Sequence, residues 1–168
     1  MIVECYQMLG SAVIRHGATP DMMPLTKKGT PLRGGYHNHP ATRWVGDSNS
    51  NYWWTLRHAF ELCKEYTNKY NKVHFCENGL YVLWKLMNLI PEGDLTPFAL
   101  CMPDEFRPNH IPLRLTRYGR FHNKGDTHAT AEKAVQAYRD YYHSKSFAKW
   151  DGRVVPTWWR YDKEGDII

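Results

Sequence analysis

Tyr36-His37-Asn38-His39-Pro40-Ala41-Thr42-Arg43-Trp44, followed closely by Asn51–Asn71 (NYWWTLRHAFELCKEYTNKYN), is the stretch that decides the fold. In its second part Trp53, Leu56, Phe60, Cys63, Thr67 and Tyr70 recur every three or four residues, a spacing that predicts one long helix with this stripe turned inward. In its first part Asn38 is a good N-cap and Pro40 stands where a helix tolerates proline, so a short helix is expected to start there. Gly46-Asp47-Ser48-Asn49 should end it, with Ser48 or Asn49 capping the long helix.

Towards the N-terminus, Ile2–Arg15 (IVECYQMLGSAVIR) is apolar on nearly every side. Glu4, Gln7, Ser11 and Arg15 form a narrow polar stripe at helical spacing. A helix of this kind is largely surrounded by protein, so the stripe should face solvent or a wet cleft. Gly10 costs about 1 kcal/mol of intrinsic helix stability and lets another backbone approach. Residues 18–35, rich in Pro, Gly, Thr and Lys, have no periodicity and read as a solvated connector.

Towards the C-terminus, Glu77–Leu89 reads as a helix stopped before Pro91. Residues 92–112 carry too many prolines for regular structure. Between Arg107 and Lys124 lie Arg107, Arg114, Arg117, Arg120 and Lys124, with aromatics and histidines between them and no acidic residue. A short hairpin at Leu113–Thr116 is compatible with the local alternation. Thr130–Tyr142 is a final helix with Thr130 as its cap, and residues 146–161 form an aromatic tail around Pro156. The expectation is an all-α protein, one helical domain over 1–168 of four to five helices with long surface loops, among them a basic loop at about 107–125.

Composition narrows the function classes. The 22 basic and 17 acidic residues give a net charge of +5 and a pI near 9.0, which favours an anionic partner. Aromatic residues make up 14% of the chain, and such rings either fill a core or offer faces on which bases stack. No apolar run approaches the roughly twenty residues needed to span a bilayer, and no signal peptide is readable, so a cytoplasmic protein without a membrane partner is expected. Cys5, Cys63, Cys76 and Cys101 form no CxxC pair and read as reduced core thiols. His37 and His39 stand close, but no HxxxH or HExxH aims two rings at one ion, so neither metal nor cofactor is expected. Glu4 is the more useful candidate. A carboxylate in a cleft near cationic groups suits cleavage of a glycosidic bond, because it can stabilise an oxocarbenium-like sugar or activate a nucleophile.

Four segments carry a family resemblance: Val3-Glu4-Cys5-Tyr6-Gln7-Met8-Leu9-Gly10; Asn38-His39-Pro40 through Trp44 into the long helix; Met102-Pro103-Asp104-Glu105-Phe106-Arg107; and Pro156-Thr157-Trp158-Trp159-Arg160-Tyr161. In this order they resemble the phage pyrimidine-dimer DNA glycosylases of the endonuclease V type and related phage and bacterial proteins. The resemblance implies a helical DNA-repair enzyme, a hydrolase or lyase that kinks damaged duplex DNA, holds a base out of the helix and attacks the sugar C1′ with an N-terminal amine. It makes Glu4 the catalytic glutamate, with the Met1 amine, about 5 Å away along the helix axis at the usual rise, as candidate nucleophile. It places Trp158, Trp159, Arg160 and Tyr161 in the DNA-contacting tail.

The chain departs from that pattern at Val3 and Gln7, which stand where the family has phosphate-gripping arginines, and in the longer segment that the family carries before the glutamate. Arg107, Arg114, Arg117, Arg120 and Lys124 are the expected replacements for those grips. Gln7, His37, His39 and Arg43 are expected around the pocket. The expected function is therefore removal of a damaged or modified pyrimidine from duplex DNA, with or without AP-lyase activity, in the cytoplasm of a bacterial host if the chain is phage-encoded. The alternative is a protein that keeps the fold but binds nucleic acid or another partner without catalysis. An enzyme of free nucleotides is disfavoured by the basic stretch.

Overall fold

The computed structural model describes residues 1–107, 127–147, 150 and 154–159, with the backbone alone for 127–130. Among these residues are five α-helices and no strand: α1 (Ile2–Arg15), α2 (Pro40–Val45), α3 (Asn49–Tyr70), α4 (Glu77–Lys85) and α5 (Thr127–His143). The protein is all-α, as its periodicity predicts. None of these helices is long and apolar enough to cross a membrane. Met1–Thr96 form one unit, and the described residues from Pro97 onward belong to a second.

In the first unit α1 packs against α2, α3 and α4. Its buried face carries Cys5, Tyr6, Leu9, Ala12 and Val13. The polar stripe of α1 is divided. Glu4 and Arg15 are exposed, whereas Ser11 is buried because residues 18–35 fold back over it. The Ser11 hydroxyl donates to the Gly35 carbonyl and accepts from the Gly35 N–H, both at 2.7 Å. The close approach depends on Gly34, whose φ is +71° and where a Cβ would stand 2.2 Å from the Ser11 oxygen. Residues 18–35 are therefore not the solvated connector expected from composition. Met23 and Leu32 are buried, and Lys27-Lys28 sit on a turn closed by Thr26 and Thr30. Non-periodic segments bury side chains too, and a reading based on periodicity misses them.

The cap of α2 also differs from expectation. His39, not Asn38, is the N-cap, its Nδ1 accepting from the Ala41 N–H at 3.3 Å with Pro40 following. Asn38 instead accepts a hydrogen bond from the Arg43 guanidinium at 3.2 Å. Ser48 caps α3 through the Asn51 N–H, as anticipated.

The inward face of α3 is rotated from the predicted stripe. It carries Asn51, Tyr52, Thr55, Leu56, Ala59 and Cys63, while Trp53 and Tyr70 are 39% and 52% exposed. Hydrophobic spacing favoured the tryptophan. The structure instead buries polar groups whose hydrogen bonds are satisfied inside, which removes the desolvation penalty. Asn51 donates to the Trp44 carbonyl and the Thr96 hydroxyl, both at 2.9 Å, and accepts from the Thr96 N–H at 2.9 Å. Thr55 donates to the Asn51 carbonyl. Tyr52 reaches across to α4, donating to the Leu83 carbonyl at 2.9 Å. Gly79 lets α4 rest on the Tyr6 ring, where a Cβ would stand 2.3 Å from the phenol oxygen. The expected helix Glu77–Leu89 divides at Lys85, with a 3-10 turn at Met87–Leu89 before Pro91.

The second unit has its own core of Leu100, Met102, Ala134 and Ala137, flanked by Phe106, Tyr138 and Tyr141. The Tyr138 hydroxyl donates to the Ala99 carbonyl and accepts from the Cys101 N–H. Helix α5 starts at Thr127, ahead of the expected cap Thr130. The hairpin expected at 113–116 lies outside the described residues.

Two stability outcomes follow. Asn51→Ala strands the Thr96 N–H and the Trp44 carbonyl in the interior and should lower the unfolding free energy by about 3 kcal/mol, whereas Asn88→Ala at the surface should be neutral; urea denaturation compares them. Gly34→Ala should destabilise by about 2 kcal/mol or more, since it combines a positive φ with a clash, and thermal melts followed by circular dichroism measure it.

Candidate functional site

The first turn of α1 presents the sequence's leading candidate. Glu4 is open to solvent, its side chain 51% exposed, and its carboxylate is paired with the Met1 amine. The hydrogen bond from that amine, joined by a backbone hydrogen bond, holds the carboxyl below the usual glutamate range despite a small opposing contribution from burial. Glu4 is thus an anion at neutral pH. It suits charge stabilisation better than proton donation.

The amine's charge extends to α3. Burial is the main cause that holds the His58 imidazole below the ordinary histidine value, and the Met1 amine adds to the effect. His58 stacks on Trp54 at 5.3 Å between centroids, and Trp54 meets Trp44 edge-on at 6.0 Å. Here α3 turns its outer face to solvent and lines an open hollow of about 450 Å³ with Ser50, Trp53, Trp54, Arg57, His58 and Glu61, closed on one side by Leu95. A second hollow of about 280 Å³ lies against Asn49, Ser50, Trp53, Trp84 and Met87. Ser50 and Trp53 belong to both. Sequence reading missed Trp54, Arg57, His58 and Glu61 and placed Trp53 in the core. The available signal was Arg57-His58 with Glu61 on one face of α3, one turn beyond two adjacent tryptophans.

The other nominated residues fall in several places. Gln7 lies against Gly35, and His37 is exposed. His39 is occupied as the α2 cap and Arg43 by Asn38. In the second unit Arg107 is folded onto its own neighbourhood, its guanidinium 2.7 Å from the Asp104 carboxylate and donating to the Met102 carbonyl. Trp159 is buried among His143, Trp150 and Trp158, so its ring serves packing, while Trp158 stays partly open beneath the Arg139 guanidinium. Arg114, Arg117, Arg120, Lys124, Arg160 and Tyr161 lie outside the described residues.

Thiol chemistry is disfavoured in the first unit. Burial pushes Cys63 up to about 11 and Cys76 to about 12, with charge repulsion from neighbouring groups adding to each, and raises Cys5 as well. These groups stay protonated at neutral pH and are poor nucleophiles. Among the described residues no group of three His, Cys, Asp or Glu side chains is placed to hold a metal ion.

Compared with known proteins, the chain matches no family model, no curated protein and no solved structure.

The depressed His58 pKa has a signed consequence. Stability is retained above the usual histidine value of 6.5 and falls as pH drops below it, because the unfolded ring takes up its proton first; the loss ends once the folded ring is protonated too. An NMR titration should place the His58 midpoint below 6.5, and His58→Gln should remove this part of the pH dependence.

Proposed function

We propose that the chain is a DNA glycosylase that cleaves the N-glycosidic bond of a damaged or modified pyrimidine in duplex DNA. The observation that carries the reading is Glu4: an ionised, solvent-open carboxylate beside a primary amine on the first turn of a helix. As the C1′–N bond breaks, its electron pair leaves with the base and positive charge develops on the sugar, where an anion lowers the barrier. When the unprotonated amine attacks, its lone pair forms the C1′–N bond. Proton loss from that nitrogen and opening of the sugar ring then give an imine, the intermediate of an AP lyase. Flipping costs a few kcal/mol and is cheapest at a distorted site, which is where discrimination would begin. The net charge of +5 supports an anionic partner, and Arg114, Arg117, Arg120 and Lys124 are the candidate phosphate grips. A cytoplasmic setting belongs to the same reading.

One observation favours the alternative of a non-catalytic nucleic-acid- or partner-binding protein. An amine paired with the Glu4 carboxylate must leave that partner before it can attack. The two readings part in a borohydride trap on DNA with an abasic site or a pyrimidine lesion. A covalent adduct lost in Glu4→Gln is the expected result, and base release without an adduct would reduce the activity to hydrolysis. Neither adduct nor base release on any lesion would leave the binding protein. The loss of base release that comes from protonating Glu4 should lie below the ordinary glutamate range, because the depressed carboxyl keeps its charge as pH falls through that range.

A further inference from the structure

The outer face of α3 carries a second feature that the Glu4 chemistry does not use. Trp53 is 39% and Trp54 38% exposed, and neighbouring Trp84 on α4 is 47% exposed. It is their grouping, and not exposure alone, that marks a surface able to hold a partner. They are not scattered. Trp53 lies 6.0 Å from Trp84 and forms a shared wall between the two hollows. The larger hollow, at about 450 Å³, has room for a nucleoside-sized group, and the smaller one adjoins it.

The polar groups there are of the kind that read bases. Arg57 is exposed and, among the described residues, has no ion-pair partner, so its guanidinium is available to a phosphate or a base carbonyl. Glu61 is matched by Lys64 at 3.8 Å, which offsets its repulsion of a polyanion while leaving its oxygens able to accept from a base amino group. His58 is held neutral, so it can donate and accept at once. A purely apolar ligand would waste these groups, and a duplex cannot offer base faces to the tryptophans.

We infer that the paired hollows on either side of Trp53 bind an unpaired stretch of nucleic acid, successive bases stacking on the tryptophans and the backbone held by Arg57. The inference takes its partner class from the nucleic-acid reading above but does not depend on catalysis at Glu4. Base–aromatic stacking is tolerant of sequence, and the strand would serve equally as a free single strand or as the opened region around a flipped base.

The test is fluorescence anisotropy of the full chain with labelled oligo(dT) and with the same length of duplex. The single strand should bind more tightly. Trp53→Ala should weaken it about tenfold, with Trp53→Phe restoring most of the loss and the melting temperature unchanged. Arg57→Gln should lower the slope of log affinity against log salt by about 0.7. Equal affinity of Trp53→Ala and the parent, or no preference for the single strand, would overturn the inference. Absence of both adduct and base release, with these binding results intact, would remove the glycosylase and leave this site standing.

Discussion

The first unit depends on one buried amide. Asn51 is fully enclosed in the first turn of α3, and its side chain meets three surrounding groups: the Trp44 carbonyl in the last turn of α2, and the Thr96 N–H and hydroxyl. Without it, the end of α2 and the approach to Thr96 would have to desolvate polar groups with nothing to receive them. With it, the end of α2, the start of α3 and the approach to Thr96 are fixed in one register. Ser48 extends the same arrangement, capping α3 while donating to the Asp94 carbonyl.

That register shapes the surface. Because Asn51 and Tyr52 point inward, Trp53 and Trp54 are carried to the outer flank of α3, where Trp54 is steadied by Trp44 and His58. Thr96 is held against Asn51, so Leu95 beside it is brought to the rim of the larger hollow. The first turn of α1 projects Glu4 from its exposed flank, and the charge of the adjoining amine is felt at His58. An interior hydrogen-bond network thus sets which rings α3 turns outward.

Much of this was legible in the chain itself. The bounds of α1, the all-α class and the Ser48 cap follow from spacing and capping chemistry alone. Glu4 reads as an acid that faces solvent or a wet cleft, and of these two the structure has it open to solvent, paired with the Met1 amine. What the sequence hid has a common cause. Apolar spacing assigns tryptophan to the interior and asparagine to the surface, and at positions 51 and 53 the hydrogen bonds of Asn51 reverse that assignment. The same blindness to specific polar contacts concealed the return of residues 18–35 over Ser11 and the use of His39 as a cap. Arg107 read as a free cation because its partner, Asp104, sits in an irregular turn that no periodicity describes.

The proposed function and the proposed strand site together would put both the first turn of α1 and the outer face of α3 against nucleic acid. Amide and indole chemical shifts of the isotope-labelled chain, followed while DNA bearing an abasic site is added, test that placement most directly. Concerted shifts are expected at Glu4, Trp53, Trp54 and Arg57, with Leu95 moving alongside. Saturable binding that leaves those signals in place and perturbs only residues elsewhere would contradict it.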